Sequence, residues 1–378
     1  MTHTESNHVI HSTSKYYVGL MSGTSCDGID AALVEVNDKG LICLDTHYQA
    51  YPDALRARLL SVIAGAAMTA HDFSLLDYQL ATAYAEMVNA LLHKIGVSAN
   101  EISAIGLHGQ TIDHSPPVNT WQLGSAAHVA ALTGIDVIAD FRTMDVALGG
   151  QGAPLAPALH QALFYQDKPL AVLNLGGIAN LSYLTADGFI GFDTGPANCL
   201  MDLWVSKHKN FTHDKSGVWA ASGEAHPALL ASMLSEAYFS KSIPKSTGRE
   251  LFNQKWLAHR LEAFPEMSAV DVQATLLQLT VQSMVQDVKT HAPEAQQLVV
   301  CGGGVHNETL MDGLSSQLAI EVISSQKLGV DPDHVESVLM AWLASQFPDA
   351  LDLTDVTGAA LPHVFGVKHF AKTGKSIK

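Results

Sequence analysis

A β-hairpin with a glycine-rich turn is predicted twice in the sequence, and this repeat limits the folds that the chain can adopt. Residues 16–23 and 29–36 predict two strands joined by a Gly/Ser/Thr/Asp turn, and residues 170–184 predict a second such pair. Each pair is followed later by an apolar strand that runs into glycine, at 105–111 and at 297–304. We therefore predict an α/β protein with two similar lobes, in which both hairpin turns face a shared cleft.

The composition of the 378-residue chain is typical of a folded protein and argues against several partners. Apolar residues make up 47% of the chain and charged residues 15%, so it can bury a large core. The balance of 21 Lys and Arg against 37 Asp and Glu gives a formal net charge of −16. Nucleic acids and anionic membranes are held by basic clusters, so we expect neither as a partner.

Other sequence features indicate the compartment. The four cysteines are far apart and lack zinc-type spacing, which indicates a reducing environment. No stretch approaches about 18 consecutive apolar residues, so we expect no transmembrane helix. The first 15 residues lack the charged start and apolar run of a signal peptide. We expect a cytoplasmic protein.

The boundary between the predicted lobes is placed by composition. Residues 141–157 are rich in glycine and proline and predict a loop that crosses between the lobes. We therefore assign residues 1–140 to an N-terminal lobe, completed by the C-terminal tail from about 352 to 378. Residues 141–351 form the C-terminal lobe, which on this prediction includes a helix over 332–347.

The first glycine-rich turn, Gly23–Gly28, has the residues of a phosphate-binding loop without a standard motif. Its small residues let the backbone approach a ligand, Thr24 and Ser25 add hydroxyl groups, and Asp27 can hold Mg²⁺ through water. The turn matches neither G-x-G-x-x-G nor the Walker A pattern. Its spacing therefore fits an ordinary hairpin turn at least as well.

Four further features have both a chemical and a structural interpretation. The paired glycines of residues 174–180 fit close approach of a phosphate or a β-bulge. Three glycines at 302–304, between a strand and a helix, favour a flat surface open to a planar base or a phosphate. Asp193 ends a predicted strand and fits a general base, a metal ligand or a turn former. Arg142 fits a bidentate carboxylate site or a surface position.

Taken together, the motifs resemble the anhydro-N-acetylmuramic acid kinase family of the sugar kinase/Hsp70/actin (ASKHA) superfamily. The resemblance runs from Val18 to about Phe365 and follows the family order. The matching segments are VGLMSGTSCDGIDAALVEV, HGQT, DFRTMDVALGGQGAPL, NLGGIANLS, DTGP, PKSTGRE, DVQATL and VCGGG. The resemblance implies two ribonuclease-H-like lobes around a nucleotide cleft, ATP and Mg²⁺ as cofactors, an amino-sugar substrate and a homodimer.

The resemblance also implies a reaction and its residues. Asp193 is expected to activate water that attacks the anomeric carbon, while O6 takes the γ-phosphate of ATP to give N-acetylmuramic acid 6-phosphate. Glu336 is expected to help position that water, and Arg142 to bind the lactyl carboxylate. The nucleotide-binding residues implied are Gly23, Thr24, Ser25, Asp27, Gly28, Asp30, Gly176, Gly177, Asn180, Gly302, Gly303 and Gly304. The further sugar-binding residues implied are His108, Gln110, Gln151, Gly152, Thr194 and Gly195.

Three positions depart from the family pattern without removing an acid, a base or a phosphate turn. Ala197 replaces a glycine after DTGP, Thr143–Met144 replaces an arginine-rich stretch, and Val305–His306 replaces polar residues. Two other hypotheses stay open on sequence alone. One is a nucleotide-binding sensor that has lost catalysis, and the other is a kinase of an ordinary hexosamine.

Overall fold

The computed structural model describes residues 14–371, which divide into two α/β units. The N-terminal unit contains the chain up to Gly152, Glu336–Asp352 and the residues from Leu361 onward. The C-terminal unit contains Ala153–Val335 and Leu353–Ala360. The first boundary therefore lies about twelve residues later than the expected one. Residues 336–351 were expected in the C-terminal lobe and belong to the N-terminal unit, whereas residues 353–360 were expected in the N-terminal lobe and belong to the C-terminal unit.

The elements of both units are numbered along the chain. The strands are β1 Lys15–Ser22, β2 Gly28–Asn37, β3 Gly40–Ala50, β4 Ile102–Ser115, β5 Asn119–Leu123, β6 Val137–Ala139, β7 Leu170–Leu175, β8 Ile178–Thr185, β9 Gly188–Pro196, β10 Gln297–Cys301, β11 Glu321–Ser324, β12 Ala350–Leu351, β13 His363–Val364 and β14 Val367–His369. The helices are α1 Asp53–Ile63, α2 Ala70–Ile95, α3 Ala126–Thr133, α4 Thr143–Ala147, α5 Ala156–Phe164, α6 Cys199–Lys209, α7 Val218–Ala221, α8 Pro227–Leu234, α9 Gln254–Leu261, α10 Ala269–His291, α11 Glu308–Gln317, α12 Val335–Gln346 and α13 Thr354–Thr357.

The two units contain sheets of the same topology. In the N-terminal unit the order is β3-β2-β1-β4-β6, and in the C-terminal unit it is β9-β8-β7-β10-β11. In the N-terminal sheet, neighbours among β1, β2 and β3 are antiparallel, and β4 and β6 run parallel to β1. In the C-terminal sheet, neighbours among β7, β8 and β9 are antiparallel, and β10 and β11 run parallel to β7. This shared order confirms the predicted α/β class with two ribonuclease-H-like lobes. In the N-terminal sheet, β14 extends the β6 edge and β5 pairs with β4.

Helix α12 contacts the N-terminal sheet at two glycines that are register partners. Gly19 of β1 lies opposite Gly106 of β4. A Cβ at Gly19 would lie 1.8 Å from the carbonyl oxygen of Ser337, and one at Gly106 would lie 1.9 Å from that of Met340. Only glycine allows the helix backbone to lie this close to the strands. This close contact joins α12 to the N-terminal unit, which contains residues 336–352.

Local signals explain the long helix α2 of the same unit. It begins at a capping box, in which Thr69 and Asp72 each bond the other's backbone N–H, and it ends at Gly96 in the left-handed conformation. Its apolar stripe, with Leu80 and Tyr84 fully buried, packs in the core of the N-terminal unit. In the C-terminal unit, α10 forms the matching core helix.

Segment 141–157 is not wholly a loop as predicted, because it contains α4 and the start of α5. The carboxylate of Asp145 in α4 accepts from the N–H of Gly152 at 2.6 Å and so ties the short helix to the chain after it. Across residues 14–371, no helix combines the length and the apolar character that crossing a membrane requires.

The glycine pair predicts a position-specific effect on stability. We expect Gly19→Ala or Gly106→Ala to lower the free energy of unfolding by about 3 kcal/mol, because overpacking against backbone forces the helix from the sheet. The control is Gly303→Ala, whose Cβ would have no heavy atom nearer than 4.0 Å. Urea titrations of the three variants test this, and equal losses at all three positions would contradict it.

Candidate active site

One row of side chains crosses four strands of the C-terminal sheet. Cys301 on β10, Asn174 on β7, Asn180 on β8 and Asp193 on β9 are successive register partners. Residues directly opposite one another lie on the same face of a sheet, so these four side chains are neighbours. The row lies near the carboxyl ends of β7, β9 and β10, where α/β folds place their ligand sites.

A β-bulge lies beside Asp193. On β8, Ala179 and Asn180 are consecutive, but their partners on β9 are Gly195 and Asp193, so Thr194 is the extra residue. Bulges occur next to active sites because they redirect a side chain. Gly195 has φ +143°, and the Thr194 side chain is buried, with its hydroxyl 3.4 Å from the Ala179 carbonyl oxygen. β9 therefore continues to Pro196, three residues beyond Asp193, where the sequence pattern ends the predicted strand.

Three hydrogen bonds hold Asp193. Its carboxylate accepts from the N–H of Thr247 at 3.0 Å, and its own N–H donates to the carbonyl of Lys245 at 3.1 Å. The hydroxyl of Tyr238 donates to its carbonyl oxygen at 2.6 Å. Burial is the main cause of the raised pKa of Asp193, which is about 6. Glu250 adds to this rise, whereas the Thr247 N–H and the Lys245 ammonium oppose it.

Two buried polar atoms beside Asp193 lack hydrogen-bond partners within the described part of the chain. They are Oδ1 of Asn180, the register partner of Asp193, and Oγ1 of Thr247, whose N–H binds the Asp193 carboxylate. Buried polar atoms in folded proteins are nearly always hydrogen-bonded. These two atoms therefore mark a place where a polar ligand or water would complete the bonding.

The three glycines at 302–304 differ in how much space a side chain would have at each position. A Cβ at Gly302 would lie 2.5 Å from Oδ1 of Asn174, and one at Gly304 would lie 2.5 Å from the Leu175 side chain. These two positions therefore require glycine for packing against β7. Gly303 is exposed and has open space around it, so it alone of the three offers the free surface that the sequence suggested.

The second hairpin turn, Gly176–Gly177, is tied to the start of α6. Its carbonyl groups accept from the backbone N–H groups of residues 197–199, and the Asn198 amide donates to the carbonyls of Leu175 and Gly176. A nitrogen of the Arg249 guanidinium lies 3.4 Å from the position that a Cβ of Gly177 would occupy. A cation against this turn suits an anionic ligand. The departure Ala197 is fully buried here without disturbing these bonds.

In the N-terminal unit, three predicted sugar-binding residues lie together. The Arg142 guanidinium donates to Nε2 of His108 at 2.9 Å and to the carbonyl of Gly152 at 2.5 Å. Burial and the Arg142 charge lower the pKa of His108 to about 3, so its ring is neutral. Burial also lowers the pKa of Arg142, while the carboxylates of Glu336 and Asp145 oppose that change. Glu336 itself is exposed near the start of α12.

The first hairpin turn also contacts the HGQT segment. The Gln110 amide donates to the carbonyl of Gly23 at 3.0 Å, so this residue supports the turn. The Ser25 hydroxyl donates to the exposed carboxylate of Asp27 at 2.9 Å, while a Cβ at Gly28 would lie 2.4 Å from the Gln49 carbonyl oxygen of β3. Among the remaining predicted residues, Thr24 and Gln151 are exposed and Asp30 is half-buried.

Sequence reasoning assigned no role to the residues around Asp193 that come from 244–250. Lys245, Thr247, Arg249 and Glu250 all belong to the segment PKSTGRE, which was one of the family motifs. The match to this family motif is the sequence signal that could have identified these residues. Their position beside Asp193 is visible only in the folded structure, because the segment lies some fifty residues after Asp193 in the chain.

The buried carboxylate predicts a stability change that depends on pH. A carboxyl whose folded pKa of about 6 exceeds its unfolded value of 3.8 makes the folded state less stable as the pH rises between these values. We expect Asp193→Asn to remove this loss, which is about 3 kcal/mol at about 1.4 kcal/mol per pKa unit. Its stability relative to the unaltered protein should thus rise between pH 4 and pH 7 in urea titrations. An equal difference at both pH values would contradict this.

Comparisons with known proteins show which family and which relatives this chain resembles. The family model described as "Anhydro-N-acetylmuramic acid kinase" matches residues 15–371. A kinase of that name from Shewanella oneidensis is 46% identical over 366 residues, covering 94% of this chain and 99% of the relative. The corresponding Shewanella loihica protein is 45% identical over 360 residues, covering 93% and 97%. A ROK family glucokinase structure from Streptomyces griseus aligns with a TM-score of 0.40 at 14% identity, covering 88% of this chain and 99% of that one.

Proposed function

The chain belongs to the anhydro-N-acetylmuramic acid kinase family, and we propose that it opens 1,6-anhydro-N-acetylmuramic acid and phosphorylates O6 with ATP. The products are N-acetylmuramic acid 6-phosphate and ADP, which places the enzyme in the recycling of cell-wall amino sugars. Together with the family match, one observation carries the proposal. The carboxylate of Asp193, which lies in a bulged strand, is buried and has a pKa of about 6. Beside it are two polar atoms that have no hydrogen-bond partner among the described residues.

Asp193 acts as the general base in this reaction. The Thr247 N–H occupies one carboxylate oxygen and fixes its orientation, which leaves the other to take a proton from water. The water oxygen bonds to the anomeric carbon as the bond from that carbon to O6 breaks. O6 then takes the γ-phosphoryl group, and ADP leaves. A pKa near neutral suits this role, because the carboxylate is ionised at pH 7 and still accepts a proton readily.

Arg142 binds the lactyl carboxylate of the sugar. His108 and Gly152 use two of its N–H groups and fix the plane of the guanidinium, so the remaining N–H groups are held ready for a carboxylate. His108 is neutral and accepts from Arg142, so it adds no competing charge. Glu336 attracts Arg142 and is exposed, and we assign it to positioning the attacking water.

We assign ATP binding in the C-terminal unit to the Gly176–Gly177 turn and the exposed Gly303, and the Gly23–Gly28 turn of the N-terminal unit keeps the phosphate-binding role that the resemblance implies. The Arg249 guanidinium at Gly177 supplies positive charge for the phosphates, which a chain of net charge −16 does not provide globally. Within residues 14–371, no group of three or more His, Cys, Asp or Glu side chains could hold a metal. The exposed carboxylate of Asp27 fits Mg²⁺, which it would hold through water. When bound, the ion would supply positive charge for the transferring phosphoryl group.

Activity measurements test the proposal. The purified protein is expected to form ADP and a sugar phosphate from ATP, Mg²⁺ and 1,6-anhydro-N-acetylmuramic acid. Asp193→Asn should lower kcat by about 10²- to 10⁴-fold, because a general base contributes that much. Its KM for ATP should change little.

Other substrates serve as the comparison in the same assay. Preference for an ordinary hexosamine over the anhydro sugar would indicate the simpler kinase reaction, which needs no attacking water. ATP binding without turnover of any amino sugar would indicate a sensor. Either result would contradict the proposed function.

We also propose that the enzyme works as a cytoplasmic homodimer. ATP as the phosphoryl donor supports the compartment, and resemblance to the family supports the dimer. Light scattering at micromolar concentration is expected to give twice the chain mass of 40.3 kDa. A mass of one chain would contradict the dimer.

A further inference from the structure

We propose that residues 244–250, named here the base-holding loop, position Asp193 and set its affinity for a proton, with the buried ion pair of Lys245 and Asp287 as the anchor. This inference rests on the proposed role of Asp193 as the general base. It adds two positioning residues, Lys245 and Asp287, and a tuning residue, Glu250, to the site.

The base-holding loop contacts both the backbone and the side chain of Asp193. The carbonyl of Lys245 accepts from the Asp193 N–H at 3.1 Å, and the N–H of Thr247 donates to the Asp193 carboxylate at 3.0 Å. The two loop residues are only two positions apart. A shift of the loop would therefore change the position of the carboxylate and its hydrogen bond together.

Lys245 fixes the loop to α10. Its ammonium lies 3.1 and 3.2 Å from the two carboxylate oxygens of Asp287, and the two side chains are 2% and 8% exposed. The same ammonium lies 5.4 Å from the ring centroids of Phe192 and of Tyr238. Tyr238 in turn donates its hydroxyl to the Asp193 carbonyl. The lysine is thus held by Asp287 and by two rings, one of which belongs to the tyrosine that binds the Asp193 backbone.

A buried ion pair is weak evidence for a contribution to stability. Removing two charges from water costs so much that well-packed apolar residues often replace a buried pair without loss. In some proteins such a pair is retained because it specifies a geometry. Here the geometry is the position of the loop that binds Asp193.

The loop carries charges that act on Asp193 in opposite directions. Lys245 lowers the pKa of the Asp193 carboxyl, and Glu250 raises it. Tyr238 stays protonated, because burial raises its pKa well above the usual range. Asp287 is paired with Lys245, and its other near neighbour is His291, at 3.8 Å.

The remaining neighbours of Asp193 in the register row, Asn180, Asn174 and Cys301, carry amide or thiol groups rather than carboxylates or ammonium groups. Among the described residues, the charges that shift the pKa of Asp193 are those of Lys245 and Glu250, and both belong to the base-holding loop.

The test is the pH dependence of kcat/KM in two variants. The double variant Lys245→Met/Asp287→Asn removes both charges and leaves neither unpaired. Loss of the lysine charge should raise the pKa of Asp193, so the acid limb should move up by about 0.5 to 1 pH unit. Activity should then fall by about 3- to 10-fold below the limb and recover above it. Glu250→Gln should move the limb to lower pH.

The control is Lys241→Met, which removes an exposed lysine whose ammonium lies 5.5 Å from the same Tyr238 ring. We expect its acid limb to stay in place. A loss of activity in the double variant that is equal at all pH values would show a merely structural pair and overturn the proposal. So would shifts of the same sign in the double variant and in Glu250→Gln. If the double variant fails to fold, Glu250→Gln decides, and an unmoved limb overturns the proposal.

Carbon-13 NMR titration of the Asp193 carboxyl, assigned with Asp193→Asn, separates this inference from the proposed function. Opposite pKa shifts in the two variants, without matching shifts in activity, would mean that the loop tunes Asp193 but that Asp193 is not the base. Unshifted pKa values together with a loss of activity in Asp193→Asn would mean that Asp193 is the base but that the loop does not tune it.

Discussion

Holding an ionisable carboxylate out of water is the constraint around which the C-terminal unit is arranged. Burial of Asp193 is unfavourable for the ionised form, and the unit meets this cost with the Thr247 N–H and the charge of Lys245. The bulge at Thr194 gives the carboxylate its place at the end of β9. The result is a carboxylate that is ionised at neutral pH and binds a proton more tightly than an ordinary aspartate does. With a better-solvated carboxylate at this position the folded protein would be more stable, but the carboxylate would accept a proton less readily.

The same topology serves different purposes in the two units. In the N-terminal unit, Gly19 and Gly106 bring the backbone of α12 onto the sheet, so the glutamate near its start acts on Arg142 of the same unit. In the C-terminal unit, the equivalent strands β7 and β10 carry Asn174 and Cys301, and glycine is required instead at 302 and 304. Glycine thus sets the closeness of packing in both units, at different points of a shared fold.

Local patterns in the sequence were sufficient for much of this account. The two hairpins and the position of Asp193 near a strand end follow from the spacing of apolar residues and from turn composition, and the capping box and Gly96 mark the ends of α2. Features that depend on distant parts of the chain were not predictable in this way. Lys245 and Asp287 are 42 residues apart, and the contact of α12 with Gly19 joins segments more than 300 residues apart. The packing roles of Gly302 and Gly304 likewise appear only against β7.

The central claim is that water, deprotonated by Asp193, attacks the anomeric carbon while O6 receives the phosphoryl group. Turnover in oxygen-18 water, stopped early and analysed by mass spectrometry, tests it most directly. The account predicts one labelled oxygen at C1 of the sugar phosphate and none in the phosphoryl group. Product without label at C1, or with label in the phosphoryl group, would contradict it.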